Sequence, residues 1–182
     1  LDIHFGPGAP SAQGSRLRLP APPQGASSEE IDAVRGIGDE YALRYKYHDA
    51  SLHSRFCPSS GAAQEMFEWI ESARIASLGT LRMEGVAANL DAHLEAQCKQ
   101  AEFDSLTAET DSPLSVAVGL IVRQELTGRE LPSTAEKVVK NWREHVLSNA
   151  GEHIEVLKNH IQDQAQFANL CRNIIADLGL PI

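Results

Sequence analysis

The chain has 182 residues, 42% of them hydrophobic, with a formal net charge of −9 and a pI near 5.2. That length and apolar content suit one compact domain, or one domain with an arm. The acidic balance argues against non-specific binding to nucleic acid or to an anionic membrane surface, since both need clustered positive charge. No apolar run approaches the roughly 20 residues needed to cross a bilayer, and no signal peptide is visible. Cys57, Cys98 and Cys171 are scattered and form no C-x-x-C pair. They give no support for a zinc knuckle or a thioredoxin-like motif, and they fit a reducing cytoplasm.

Residues 1–26 read as a β arm and linker. "LDIHFGPG" and "SRLRLP" each alternate apolar and polar residues. Leu1, Ile3 and Phe5 share one face of the first run, and Leu17 and Leu19 one face of the second. Period two between Gly and Pro predicts two short strands. A two-stranded ribbon is marginal alone, so it should lie against helices.

From residue 27 the pattern is helical. "SSEEIDAVRGIGDEYALRYKYH" opens with a serine cap and acids in the first turn, where they meet the helix dipole. Ile31, Val34, Ala42 and Tyr45 suggest its apolar side, and Gly36 and Gly38 count against continuity. After Pro58 and Gly61, Met66, Phe67, Ile70, Ala73, Ser77 and Leu78 recur at helical spacing. Val86, Leu90 and Leu94 mark the next helix.

"AEFDSLTAETD" reads as a connection. Asp111, Ser112 and Pro113 then predict a helix start, with Leu114, Ala117, Leu120 and Ile121 on its buried side. Ser133 should cap a helix carrying Val138, Val139, Trp142 and Val146, continued by Ile154, Leu157 and Ile161. The last helix presents Phe167, Leu170, Cys171, Ile174 and Leu178, stopped by Gly179 and Pro181. The fold class is therefore mainly α: six or seven helices over residues 27–182, with a short two-stranded N-terminal β arm. No P-loop, Rossmann glycine pattern or G-x-S-x-G occurs.

Two stretches invite chemistry. His48, Asp49, His53 and Cys57 fall within ten residues. On a helix His48 and His53 would point about 140° apart, and the zincin motif needs spacing of four with a Glu after the first His. The favoured reading assigns no metal. His48 or Asp49 satisfies a helix end and His53 packs at a turn, which leaves His48, Asp49 and His53 as weak metal candidates. The second stretch places Arg74 inside the apolar stripe between Ile70 and Leu78. A charge there should be paired, and Glu71, three residues earlier, is the natural partner. Arg82, Glu84, Asn89 and Asp91 are further polar candidates. Packing is the favoured role for this group, and a site for a partner or substrate is the alternative. Trp142 fits the core, whereas Trp69 lies off its stripe and is the better interface candidate.

"ESARIASLGTLRMEGVAANLDAHL" resembles the N-terminal region of the CobT subunit of the aerobic, ATP-dependent cobaltochelatase. Glu71, Arg74, Gly79, Arg82, Met83, Gly85, Val86, Asn89 and Leu90 stand at its pattern positions. "LDIHF", "RLRLP", "RGIGDEYALRYKYHDASLHSRFCP", "DSPLSVAVGLIVRQELTGRELP" and "DQAQFANLCRNIIADL" resemble other blocks of the family in order.

The resemblance implies a non-catalytic subunit domain, inactive alone, of a ligase that inserts Co²⁺ into hydrogenobyrinic acid a,c-diamide in cobalamin synthesis. It implies an AAA+ ATPase partner, CobS, in a ring-shaped assembly, and a large corrinoid-binding subunit, CobN. The complex would use ATP, Mg²⁺ and Co²⁺, with no cofactor in this chain. An acidic linker and a von Willebrand A-type domain are expected beyond residue 182. Glu71, Arg74, Arg82, Met83, Gly85, Asn89 and Trp69 become candidate partner contacts. Two other readings compete. One is a stand-alone metal-dependent enzyme using His48, Asp49 and His53; the other is a helical adaptor for another AAA+ and von Willebrand A-type pair.

Overall fold

The computed structural model describes residues 1–59, 61–106 and 112–182. Among these, three strands precede eight α-helices: β1 (Asp2–Gly6), β2 (Ser11–Gln13), β3 (Arg16–Pro20), α1 (Ser28–Tyr47), α2 (Ala50–Phe56), α3 (Gly61–Thr80), α4 (Glu84–Gln100), α5 (Leu114–Thr127), α6 (Ser133–Lys140), α7 (Arg143–Leu157) and α8 (Gln164–Asp177). The arm thus has one strand more than its alternation predicts. β3 lies in the middle, parallel to β1 and antiparallel to β2. Gly14, at φ +58°, helps the two-residue turn between β2 and β3. β2 escapes detection because Ser11, Ala12 and Gln13 are all exposed and lack strand-forming side chains.

β3 is the strand that packs on α1, and Leu17 and Leu19 are buried. The edge strand β1 lies past that cover, so Leu1, Ile3 and Phe5 stay exposed. Ile3 and Phe5 pair with Leu17 and Leu19 in parallel register and so lie on the sheet's docking face, beyond its covered part.

α3 and α5 form the centre. From Ala73 to Thr80 every residue of α3 is buried, and so is every residue of α5 from Ser115 to Val122. Helices apolar on all sides belong inside a bundle. The two approach closely because Gly119 faces the backbone of Trp69; a Cβ on Gly119 would fall 2.8 Å from Trp69 Cβ. The main core gathers α3, α5, α6, α7 and α8 around Phe67, Ile121, Val146 and Phe167. A smaller one, Leu43, Ile75, Ala76 and Leu90, joins α1, α3 and α4.

α1 runs unbroken through Gly36 and Gly38. Gly36 is where α4 crosses: a Cβ there would collide with the Asn89 carbonyl and His93 Cβ. The glycines serve packing between helices, which periodicity within one helix does not reveal. The face of α1 turned inward carries Gly36 and Leu43, while Ala42 and Tyr45 are exposed. Ser27 caps α1 in a capping box, accepting from the Glu30 amide at 3.2 Å.

Of two further starts, that of α5 falls where expected and that of α6 is capped differently. Pro113 precedes α5, and Asp111 lies outside the described residues. Ser133 does not cap α6. Glu95 of α4 does so across the helix interface, accepting from the Thr134 amide at 3.1 Å and its hydroxyl at 2.7 Å. The Val138–Val146 segment is two helices, broken at Asn141 and Trp142, where the Trp142 indole donates to the Ser112 carbonyl at 2.8 Å.

Candidate functional site

α3 carries the polar centre. Arg74 is 1% exposed, one of the largest fully buried side chains. A guanidinium out of water needs its five donors used. Its Nε and one terminal nitrogen reach the two oxygens of Glu71 at 2.8 and 2.7 Å. The terminal nitrogens also donate to the Tyr47 carbonyl at 2.9 Å and the Ile161 carbonyl at 3.1 Å. Its guanidinium carbon lies 5.7 Å from the centre of the Phe167 ring. Burial alone would raise the Glu71 carboxyl, but the bonds and charges of Arg74 and His48 outweigh it and hold it below the usual range. Arg74 therefore ties the end of α1, the middle of α3 and the approach to α8.

The histidines adjoin this centre. His48 follows α1, and its Nδ1 lies 2.8 Å from Glu71 Oε1. His53, on α2, puts Nε2 2.8 Å from Glu68 Oε1. A carboxylate only accepts, so each of these ring nitrogens carries the proton. The two rings are 4.8 Å apart, and His53 packs edge-on against Phe67. Asp49 stands apart and caps α2, accepting from the Leu52 amide at 2.9 Å.

Two overlapping groups have potential ligand atoms within 4.8 Å of one another: His48, His53 and Glu71, and His53, Cys57 and Glu68. The turn between α1 and α2 brings the histidines together despite a spacing unsuited to one helix. Glu68 and Glu71 were not singled out as ligands. Their signal is spacing: three residues apart on α3 they share a side, just as His53 and Cys57, four apart, share a side at the end of α2.

The remaining pattern residues lie elsewhere. Arg82 donates to the Tyr47 hydroxyl at 2.6 Å and to Gln162 at 3.3 Å, with its guanidinium carbon 5.3 Å from the centre of the Tyr47 ring. Met83 and Gly85 are exposed at the α3–α4 turn, and no atom crowds Gly85. Asn89 donates to Asp39 of α1 at 2.8 Å. Glu84 and Asp91 pair with Arg129, and Asp91 also with Arg123, rather than with Arg74.

Trp69 is half-buried and lines a cleft of about 220 Å³ among α1, α3, α4 and α5, together with Glu40, His93, Gln97 and Arg123. His93 Nε2 meets Glu40 at 3.2 Å in its wall. Burial would raise Glu40, but His93, Arg44 and Arg123 outweigh it and lower its carboxyl.

No helix is long and apolar enough to cross a membrane among the described residues. No solved structure matches the chain. Residues 1–181 match the family model described as cobalamin biosynthesis protein CobT. With almost the whole sequence covered, the chain belongs to the CobT family of cobalamin biosynthesis proteins.

Proposed function

We propose that this chain is the helical body of a cobaltochelatase subunit that docks an AAA+ partner and passes its nucleotide-driven motion onward. ATP and Mg²⁺ act on the partner, CobS in this reading. Co²⁺ is a substrate, inserted into hydrogenobyrinic acid a,c-diamide on the large subunit CobN, and the assembly works in the cytoplasm as a ring. The observation that carries the reading is the α3–α4 turn. Leu81 and Met83 are 56% and 48% exposed, although α3 is buried right up to Thr80.

Between them, Arg82 is pinned to Tyr47 and Gln162. Tyr47 in turn gives its carbonyl to Arg74. Two apolar side chains are thus presented on a turn anchored to the buried charge centre. Such a turn transmits force better than a loose loop, and exposed apolar groups with an arginine between them suit a protein partner. ATP hydrolysis does work downstream only if the ATPase states differ in their contacts with this body.

The test is size-exclusion chromatography with light scattering on this chain and its AAA+ partner, with and without ATP. A shared, nucleotide-dependent peak is expected. Leu81→Ser with Met83→Ser should weaken it tenfold or more while circular dichroism stays unchanged. An undiminished complex with the folded double variant would rule out this surface, and no complex under any condition would rule out the docking role.

A further inference from the structure

The second of the two ligand groups has a chemistry that the docking role does not use. His53 and Cys57 project from the end of α2 and Glu68 from α3. One ligand atom of each lies within 4.8 Å of the others. In a tetrahedral site with metal bonds of 2.0–2.3 Å, neighbouring ligand atoms sit roughly 3.3–3.7 Å apart. His53 Nε2 and Glu68 Oε1, now hydrogen-bonded at 2.8 Å, would part by about half an ångström as the ion takes the place of the shared proton. Cys57, with its sulfur no more than 4.8 Å from either, needs a shift of at most about an ångström, within reach of a side-chain rotation.

His53 supplies an independent pointer. Its side chain is only 11% exposed. With Nε2 on Glu68, its Nδ1 is buried without a hydrogen-bond partner among the described residues. With Nδ1 unbonded, the ring proton can reside there, which frees Nε2, the nitrogen beside Glu68, to take an ion.

The neighbouring group is the weaker host. Both oxygens of Glu71 are held by the Arg74 guanidinium, and His48 shares one of them. A divalent cation there would lie against a buried positive charge in a poorly screened setting. Glu68 carries no such partner: its contact is His53, and its side chain is 45% exposed.

We propose that His53, Cys57 and Glu68 form a three-ligand site for a divalent cation of the Zn²⁺ or Co²⁺ class. The nitrogen, sulfur and oxygen set suits these borderline ions and not Mg²⁺ or Ca²⁺, which take oxygen. Binding deprotonates the Cys57 thiol and releases its proton to solvent. Three protein ligands with one carboxylate facing water leave a position open, so the ion is exchangeable rather than a structural staple. The site stands on geometry and is independent of the docking role.

The test is titration of the metal-free, reduced chain with Co²⁺ under anaerobic conditions. One equivalent should bind, giving thiolate-to-cobalt charge transfer in the near ultraviolet and visible bands of a four-coordinate ion. Cys57→Ser should abolish the charge transfer, whereas Cys98→Ser and Cys171→Ser should keep it. Glu68→Gln, at a half-exposed position that leaves folding intact, should weaken binding tenfold or more. No charge-transfer band, a band that survives Cys57→Ser, or full affinity in Glu68→Gln would each overturn the proposal. In that case the His53–Glu68 contact is only a tie between α2 and α3.

Discussion

Arg74 and Glu71 stand one helical turn apart and bind each other through two nitrogen–oxygen contacts, at 2.8 and 2.7 Å, with neither side chain in water. Removing one partner of a buried pair leaves the other uncompensated. Arg74→Ala also strips the Tyr47 and Ile161 carbonyls of a donor. We expect it to cost about 3–5 kcal/mol. Urea denaturation reads the loss, and a cost below about 1 kcal/mol would mean that solvent already reaches the pair.

The same pair sets a pH dependence. Glu71 is held below its ordinary value of 4.5 in the folded chain. A depressed carboxyl contributes stability that is fully present above that value and is lost as pH falls through the folded one. The stability gap between wild type and Glu71→Gln should therefore be widest near neutral pH and narrow below 4.5. Denaturation series from neutral to acid pH measure it, and a gap constant with pH would contradict the assignment.

Gly36 and Gly85 should respond oppositely to alanine. At Gly36 the new methyl meets the backbone of α4, and overpacking of this kind costs about 1–3 kcal/mol. Gly85 lies in the exposed first turn of α4 with open space around it. There alanine should be neutral or add about 0.4–1 kcal/mol. Thermal melts of the two variants decide it, and equal effects would place the α1–α4 crossing elsewhere.

Glu95 should behave as the missing cap of α6. Glu95→Ala removes the acceptor of the Thr134 amide and hydroxyl, at a cost of about 0.5–2 kcal/mol as for other N-terminal caps. Ser133→Ala should cost less, since its hydroxyl makes only a 3.3 Å contact to the same carboxylate. Chemical denaturation ranks the two, and the reverse order would restore Ser133 as the cap.

What was legible in the sequence is what lies within one element. The stripe from Met66 to Leu78 is buried as spacing predicts, and so are Phe167, Cys171 and Ile174, with Leu170 half-buried beside them. Arg74 with Glu71 was readable because partners three apart on one helix can be paired by counting. The unread features all arise between elements. Glu95 caps a helix 39 residues further on, Gly36 is small because of Asn89, 53 positions later, and Trp142 breaks a helix where its indole turns to Ser112. The histidines belong to the same class. Helical geometry separates them, but the chain turns at His48 and Asp49, so the rule did not apply.

Arg74 finds Glu71 at once, but its other acceptors come from 27 residues before it and 87 after it. Bringing in the longer segment costs about 1 kcal/mol more in loop-closure entropy than the shorter one. It also has to wait for synthesis. While the chain grows from its N-terminus, α3 emerges long before residue 161 exists, so the guanidinium has one donor without its final acceptor until the last two helices arrive. The closing segment thus completes the centre: the interior of α3 is fully dry only with the C-terminal pair docked.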